Sequence, residues 1–198
     1  TRRVNAIQNG EAIFSCSISF QKREKGLTHQ IKMPKIQGPD KLKSDLELRK
    51  DLKSKIPKDY LPMWLREREI ETRQVEPVDL LKAEILPPYR STWMKPTGKL
   101  PADERIHQAL LLYVSDMGLL GAAVNPHEVN FMSKKFQSAS LDHVMWFHGK
   151  VNFNNWILHH MHSPISQNAR GFSRGSIYTK SGKLVASTAQ EGLMRIWD

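Results

Sequence analysis

Residues 101–118 read Pro101-Ala102-Asp103-Glu104-Arg105-Ile106-His107-Gln108-Ala109-Leu110-Leu111-Leu112-Tyr113-Val114-Ser115-Asp116-Met117-Gly118, and this stretch decides the fold. A proline at the first turn gives up an N–H that would have no helical partner, and Asp103 and Glu104 behind it face the positive end of the helix dipole. Ile106, Ala109, Leu110 and Tyr113 follow at helical spacing, and the pattern runs to Gly118. Three consecutive leucines, 110–112, predict a helix buried on more than one side. The segments around it are strand-like. Upstream, 70–78 and 89–95 carry β-branched and aromatic residues on either side of Pro87-Pro88. Downstream, 138–148, 155–162, 171–179 and 183–196 read as strands, with Ser181-Gly182 as a tight turn. Residues 68–198 are therefore expected to form one buried helix against an antiparallel sheet, an α+β unit.

The N-terminal third reads differently. Residues 3–21 form two strand patterns around Asn9-Gly10, the strongest short hairpin signal. A lone hairpin is marginal in water, so residues 1–33 are expected to belong to a larger sheet. A weak internal repeat links 3–15 with 175–187, each being strand, X-Gly turn, strand. Two copies of one unit are implied, the first keeping only its final hairpin. Between them, 34–67 is punctuated by Pro34, Pro39, Pro57 and Pro62 and alternates charge at helical spacing over 40–55. It reads as a charged linker carrying a short helix.

Composition narrows the function. The 198 residues hold 30 Lys and Arg against 20 Asp and Glu, a net charge of +10, and 39% hydrophobic residues can supply a core. No apolar run nears the roughly 18 residues a membrane span needs. A single cysteine, Cys16, excludes an intramolecular disulfide framework and a Cys-based zinc site. Twelve basic and five acidic residues fall between Lys22 and Lys58, so the surplus is concentrated before and within the linker. That cluster lacks interleaved aromatics and any nucleic-acid motif, so a nucleic-acid partner is not expected.

Several motifs fail on context. Gly171-Phe172-Ser173-Arg174-Gly175 matches a nucleophile elbow, but that motif needs a strand-to-helix turn and here strand follows strand. Trp197-Asp198 resembles the end of a propeller blade, without the 40–45-residue repetition. His159, His160 and His162 have no acidic or thiol ligand beside them, so satisfied or surface histidines are the better reading. His127-Glu128 lacks the second zincin histidine, and Thr97-Gly98-Lys99 lacks the first P-loop glycine.

A dispersed polar trio is more informative. Asp116 ends the apolar helix, Ser140 lies in a strand-like run, and Gln190 interrupts the last strand. A carboxylate beside a helix C-terminus faces the negative end of the dipole, which favours proton uptake. Hydroxyl and amide groups hold a water without competing for its proton. On pattern alone the plainer readings are favoured, with Asp116 as a helix terminator and Gln190 as a solvent-facing side chain.

Ser140-Leu141-Asp142-His143-Val144-Met145-Trp146-Phe147-His148 resembles the D-H-x-M-W-F-H signature of the acyl-CoA thioesterase II family. Residues 169–175 and 184–195 resemble that family's closing hairpin, Tyr113-Val114-Ser115-Asp116 its helix end, and Ala6-Ile7-Gln8-Asn9-Gly10 the end of its first domain. The resemblance implies a double hotdog fold, two units of a long helix wrapped by an antiparallel sheet, with the first unit partial here and the second complete. It implies hydrolysis of fatty acyl-CoA to fatty acid and CoA, without metal, cofactor or covalent intermediate. It makes Asp116, Ser140 and Gln190 the water-activating residues, with Ser140 standing where the family usually has Thr. A homo-oligomeric full-length protein is a further implication, and a non-catalytic acyl-CoA-binding module is the alternative. Eukaryotic relatives are often peroxisomal, although Ile196-Trp197-Asp198 is not a peroxisomal C-terminal address.

Overall fold

The computed structural model describes residues 1–79 and 81–197, so Asp198 of the Trp-Asp ending lies outside the described residues. The chain divides into two compact units, 1–30 and 31–198. The first is a hairpin of β1 (Arg2–Gln8) and β2 (Glu11–Ile18). Asn9 and Gly10 both adopt positive φ, 51° and 82°, the conformation a two-residue hairpin turn demands. Val4, Ile7, Ile13 and Phe14 of this hairpin are exposed.

The second unit is built on a seven-stranded antiparallel sheet. Its strands are β3 (Ile70–Gln74), β4 (Tyr89–Pro96), β5 (Phe136–Ser140), β6 (Val144–Phe147), β7 (Ile157–Gln167), β8 (Arg170–Thr179) and β9 (Leu184–Ile196). They run in the order β3-β4-β7-β8-β9, and β9 carries β5 and β6 one after the other along its outer edge. The strand expected over 138–148 is thus two strands, broken at 141–143.

Two helices pack on one face of the sheet. Helix α3 (Glu104–Ser115) starts later than Pro101 because the Asp103 carboxylate caps it, accepting from the Arg105 N–H at 2.9 Å. (Helices α1, Asp45–Asp51, and α2, Leu61–Trp64, precede it.) Gly118 then takes φ +79°, and α4 (Leu119–Val124) continues from it. The glycine read as the end of the helix is a bend between two helices.

Burial also differs from expectation. Only one side of α3 is covered, by His107, Leu111, Val114 and Ser115, while Ile106, Leu112 and Tyr113 are exposed. Leu111 and Val114 join Met94, Phe153, Ile157, Ile177 and Val185 in the main core. The sheet reaches one face of α3 and leaves the other open. It is α4 that is enclosed, with Leu119 and Gly121 through Val124 all buried.

The opposite sheet face is covered too. Trp93, Leu158 and Tyr178 alternate with the core residues and pack against Met33, Ile36 and Leu42. The Trp93 indole donates to the Gln37 carbonyl at 2.9 Å, and Arg73 donates to the carbonyls of Pro39 and Leu42. Helix α1 is set by a reciprocal capping box between Ser44 and Glu47.

Candidate active site

The Gly118 bend leaves Asp116 at the C-cap of α3, where its side chain is 57% exposed and free to meet water. The break between β5 and β6 brings other groups to it. Leu141 N–H and Asp142 N–H donate to the Glu191 carbonyl at 2.9 and 3.4 Å, and the Asp142 carboxylate accepts from Glu191 N–H at 2.8 Å. This knot bends the edge strand so that Ser140 before it and His143 after it both approach Asp116.

The three residues singled out from sequence meet in one hydrogen-bonded group. Gln190 projects from β9 and is 1% exposed. Its amide donates to Asp116 Oδ1 and, at 2.7 Å, to Ser140 Oγ. Ser140 in turn donates to Asp116 Oδ1 at 3.3 Å. One carboxylate oxygen therefore receives two donors, and the other has no hydrogen-bond partner among the described residues. Asp116 neither merely ends the helix nor stands apart, and Gln190 does not face solvent.

Reading along the chain did not single out His143 as a site residue. Its Nε2 lies 2.8 Å from Ser115 Oγ and its Nδ1 is 4.0 Å from Asp116 Oδ1. Burial pushes its pKa down, with Asp116 and then Asp142 opposing, so the ring is neutral near pH 7. Ser115 and His143 are distant in sequence, and no spacing rule connects them. Behind them His159 is fully buried on β7, with Nε2 3.3 Å from Thr188 Oγ1. Burial first, then His143 and His160, push its pKa down to about 3. His160 Nδ1 pairs with Ser91 Oγ at 3.0 Å, and His162 is exposed. Among the described residues no group of three or more His, Cys, Asp or Glu is placed to hold a metal.

A cavity of about 270 Å³ opens beside Asp116 and Ser140. Leu120, Phe131 and Ala139 give it apolar walls, and Arg90 adds a cation. Gly121 lets the Arg90 guanidinium lie against the backbone of α4, because a Cβ there would displace it. The G-x-S-x-G stretch is the interior of β8, with Ser173 fully buried. Its glycines admit close neighbours: a Cβ at Gly171 would collide with Met194 and Ala123, and one at Gly175 with His159 and Thr188.

Comparison with known proteins shows the family to which the chain belongs. The protein family described as "Acyl-CoA thioesterase" matches residues 64–193. The chain is 34% identical over 192 residues to "Acyl-CoA thioesterase 2" of Haemophilus influenzae, covering 97% of this chain and 67% of that one. It is 34% identical over 207 residues to "Acyl-coenzyme A thioesterase 8" of Mus musculus, covering 98% and 63%. Among solved structures, the acyl-CoA thioesterase II TesB2 of Mycobacterium marinum superposes with a TM-score of 0.73 at 33% identity, covering 99% of this chain and 68% of that one. The chain thus spans about two thirds of the length of these relatives.

Proposed function

The chain belongs to the acyl-CoA thioesterase family, and from that premise we propose that it hydrolyses fatty acyl-CoA by direct attack of water at Asp116. The observation that carries this reading is the convergence of Gln190 and Ser140 on one oxygen of an exposed carboxylate. Asp116 is the general base. Gln190 and Ser140 hold its carboxylate in one orientation, and the free oxygen faces the attacking water.

The atoms balance without a covalent intermediate. Asp116 takes a proton from water as the oxygen bonds to the thioester carbon. Backbone N–H groups stabilise the resulting oxyanion. The C–S bond then breaks, the CoA sulfur receives the proton from Asp116, and fatty acid leaves. The apolar walls beside Asp116 suit the acyl chain, and Arg90 gives the same cavity one cation for a CoA phosphate.

Residues 1–33 are the closing hairpin of a first hotdog unit in this reading, 34–67 the connector, and 68–198 the catalytic unit. The exposed apolar side of α3, with Ile106, Leu112 and Tyr113, supports a homo-oligomer in the full-length protein. The test is release of free thiol from fatty acyl-CoA in ¹⁸O-labelled water. Hydrolysis puts one label in the fatty acid and leaves the protein mass unchanged during turnover. Acyl-CoA binding without thiol release would establish the non-catalytic module instead, and an acylated protein would refute direct attack.

A further inference from the structure

Hydrogen-bond accounting around His143 fixes its tautomer. The Ser115 hydroxyl donates to the Leu112 carbonyl at 2.7 Å, in the last turn of α3, where the Asp116 N–H turns to Val114 instead. A hydroxyl has one proton, so Ser115 Oγ is an acceptor toward His143 Nε2 at 2.8 Å, and Nε2 carries the ring hydrogen. Nδ1 is left as a bare lone pair. It is buried, has no partner among the described residues, and lies 4.0 Å from Asp116 Oδ1. A lone pair facing a carboxylate is repulsive unless a proton lies between them. The reaction proposed above generates such a proton.

We infer that His143 is a positioning residue that holds Asp116's proton during turnover. Once protonated, the exposed Asp116 carboxyl is a weaker acceptor for Gln190 and Ser140, and rotation about its Cβ–Cγ bond brings the new O–H from the solvent side toward Nδ1. The proton moves to the ring, giving an imidazolium beside the restored carboxylate, and returns through Asp116 to the departing CoA sulfur. No atom is gained or lost. The charged groups facing the ring suit a transient cation: Asp116 from α3 and Asp142 beside it in the chain are both acidic. His159, facing it from β7, is neutral near pH 7 and adds no opposing charge. Ser115 keeps the ring from rotating.

This inference rests on hydrolysis at Asp116, and two measurements separate the two claims. In ¹⁵N-histidine NMR of the 198-residue chain, His143 is expected as the neutral Nε2–H tautomer, with a titration midpoint that falls in Asp116→Asn. A protonated Nδ1 at neutral pH, or a midpoint indifferent to Asp116→Asn, overturns the relay whatever the activity. In kinetics, His143→Gln keeps a donor for Ser115 but loses the titrating lone pair. It is expected to fold, to lower kcat about 10²-fold with little change in KM, and to lose one proton from the acid limb of kcat/KM. Wild-type kcat and an unchanged acid limb in that variant overturn the relay. An inert wild-type chain overturns the hydrolase reading itself, and the relay with it.

Discussion

Gln190 has only two amide protons, and both are committed, one to Asp116 and one to Ser140. Its value lies in orientation: buried to 1% exposure, it cannot swing away, and it holds the ionised carboxylate in place. Gln190→Ala should therefore lower kcat about 10²-fold while KM changes little, because a positioning contact is lost and the acyl slot is not. Steady-state kinetics across a range of acyl-CoA concentrations checks the split. Ser140→Thr adds a methyl that narrows the rotamers of a hydroxyl already in place, so turnover should stay within about threefold of wild type. Pattern alone showed these as three polar residues in three elements. Only the family resemblance joined them. His143 was missed because its partner Ser115 and its target Asp116 are brought to it by packing of α3 on the sheet, a contact that no local periodicity encodes.

The elements were legible where local chemistry is decisive. Asn9-Gly10 and Ser181-Gly182 are turns because positive φ is cheap there. The helix start was displaced from Pro101 because Asp103 supplies a side-chain cap and Pro101 does not. Helix α4 was missed because Gly118, which ends many helices, here joins two. The break at 141–143 was missed as well: β-rich residues flank it on both sides, and its cause is the bonding to Glu191 on another strand. Close approach of α4 to β8 has its own sequence requirement. At Gly171 a side chain would meet Ala123 and Met194, so Gly171→Val should destabilise the fold by about 1–3 kcal/mol. Denaturant unfolding with an unchanged m-value would register this as a lower midpoint.

Across the whole molecule, the charge surplus that suggests a polyanion partner is partly engaged within residues 34–67 and the sheet beneath them. Lys43 pairs with Asp51, Arg49 with Asp45, and Lys180 reaches Asp40 at 2.7 Å. Stability should respond to pH through the interior instead. His159 is neutral in the fold down to about pH 3, whereas an unfolded histidine binds a proton near 6.5. Between those values the unfolded state binds more protons, so stability falls as pH drops through that window. His159→Gln removes that site, so the wild-type advantage over the variant should shrink between pH 6.5 and pH 4, as followed by thermal unfolding.

In the proposed reaction Asp116 activates water in place. Its most direct test compares fatty acyl-CoA hydrolysis by wild type and Asp116→Asn, with acyl-CoA affinity measured on the same samples. The Asn variant keeps the shape and the Gln190 and Ser140 neighbours but cannot take a proton. Turnover lowered by about 10²–10⁴-fold with affinity retained is the predicted result. A folded Asp116→Asn variant that hydrolyses at the wild-type rate would contradict the account.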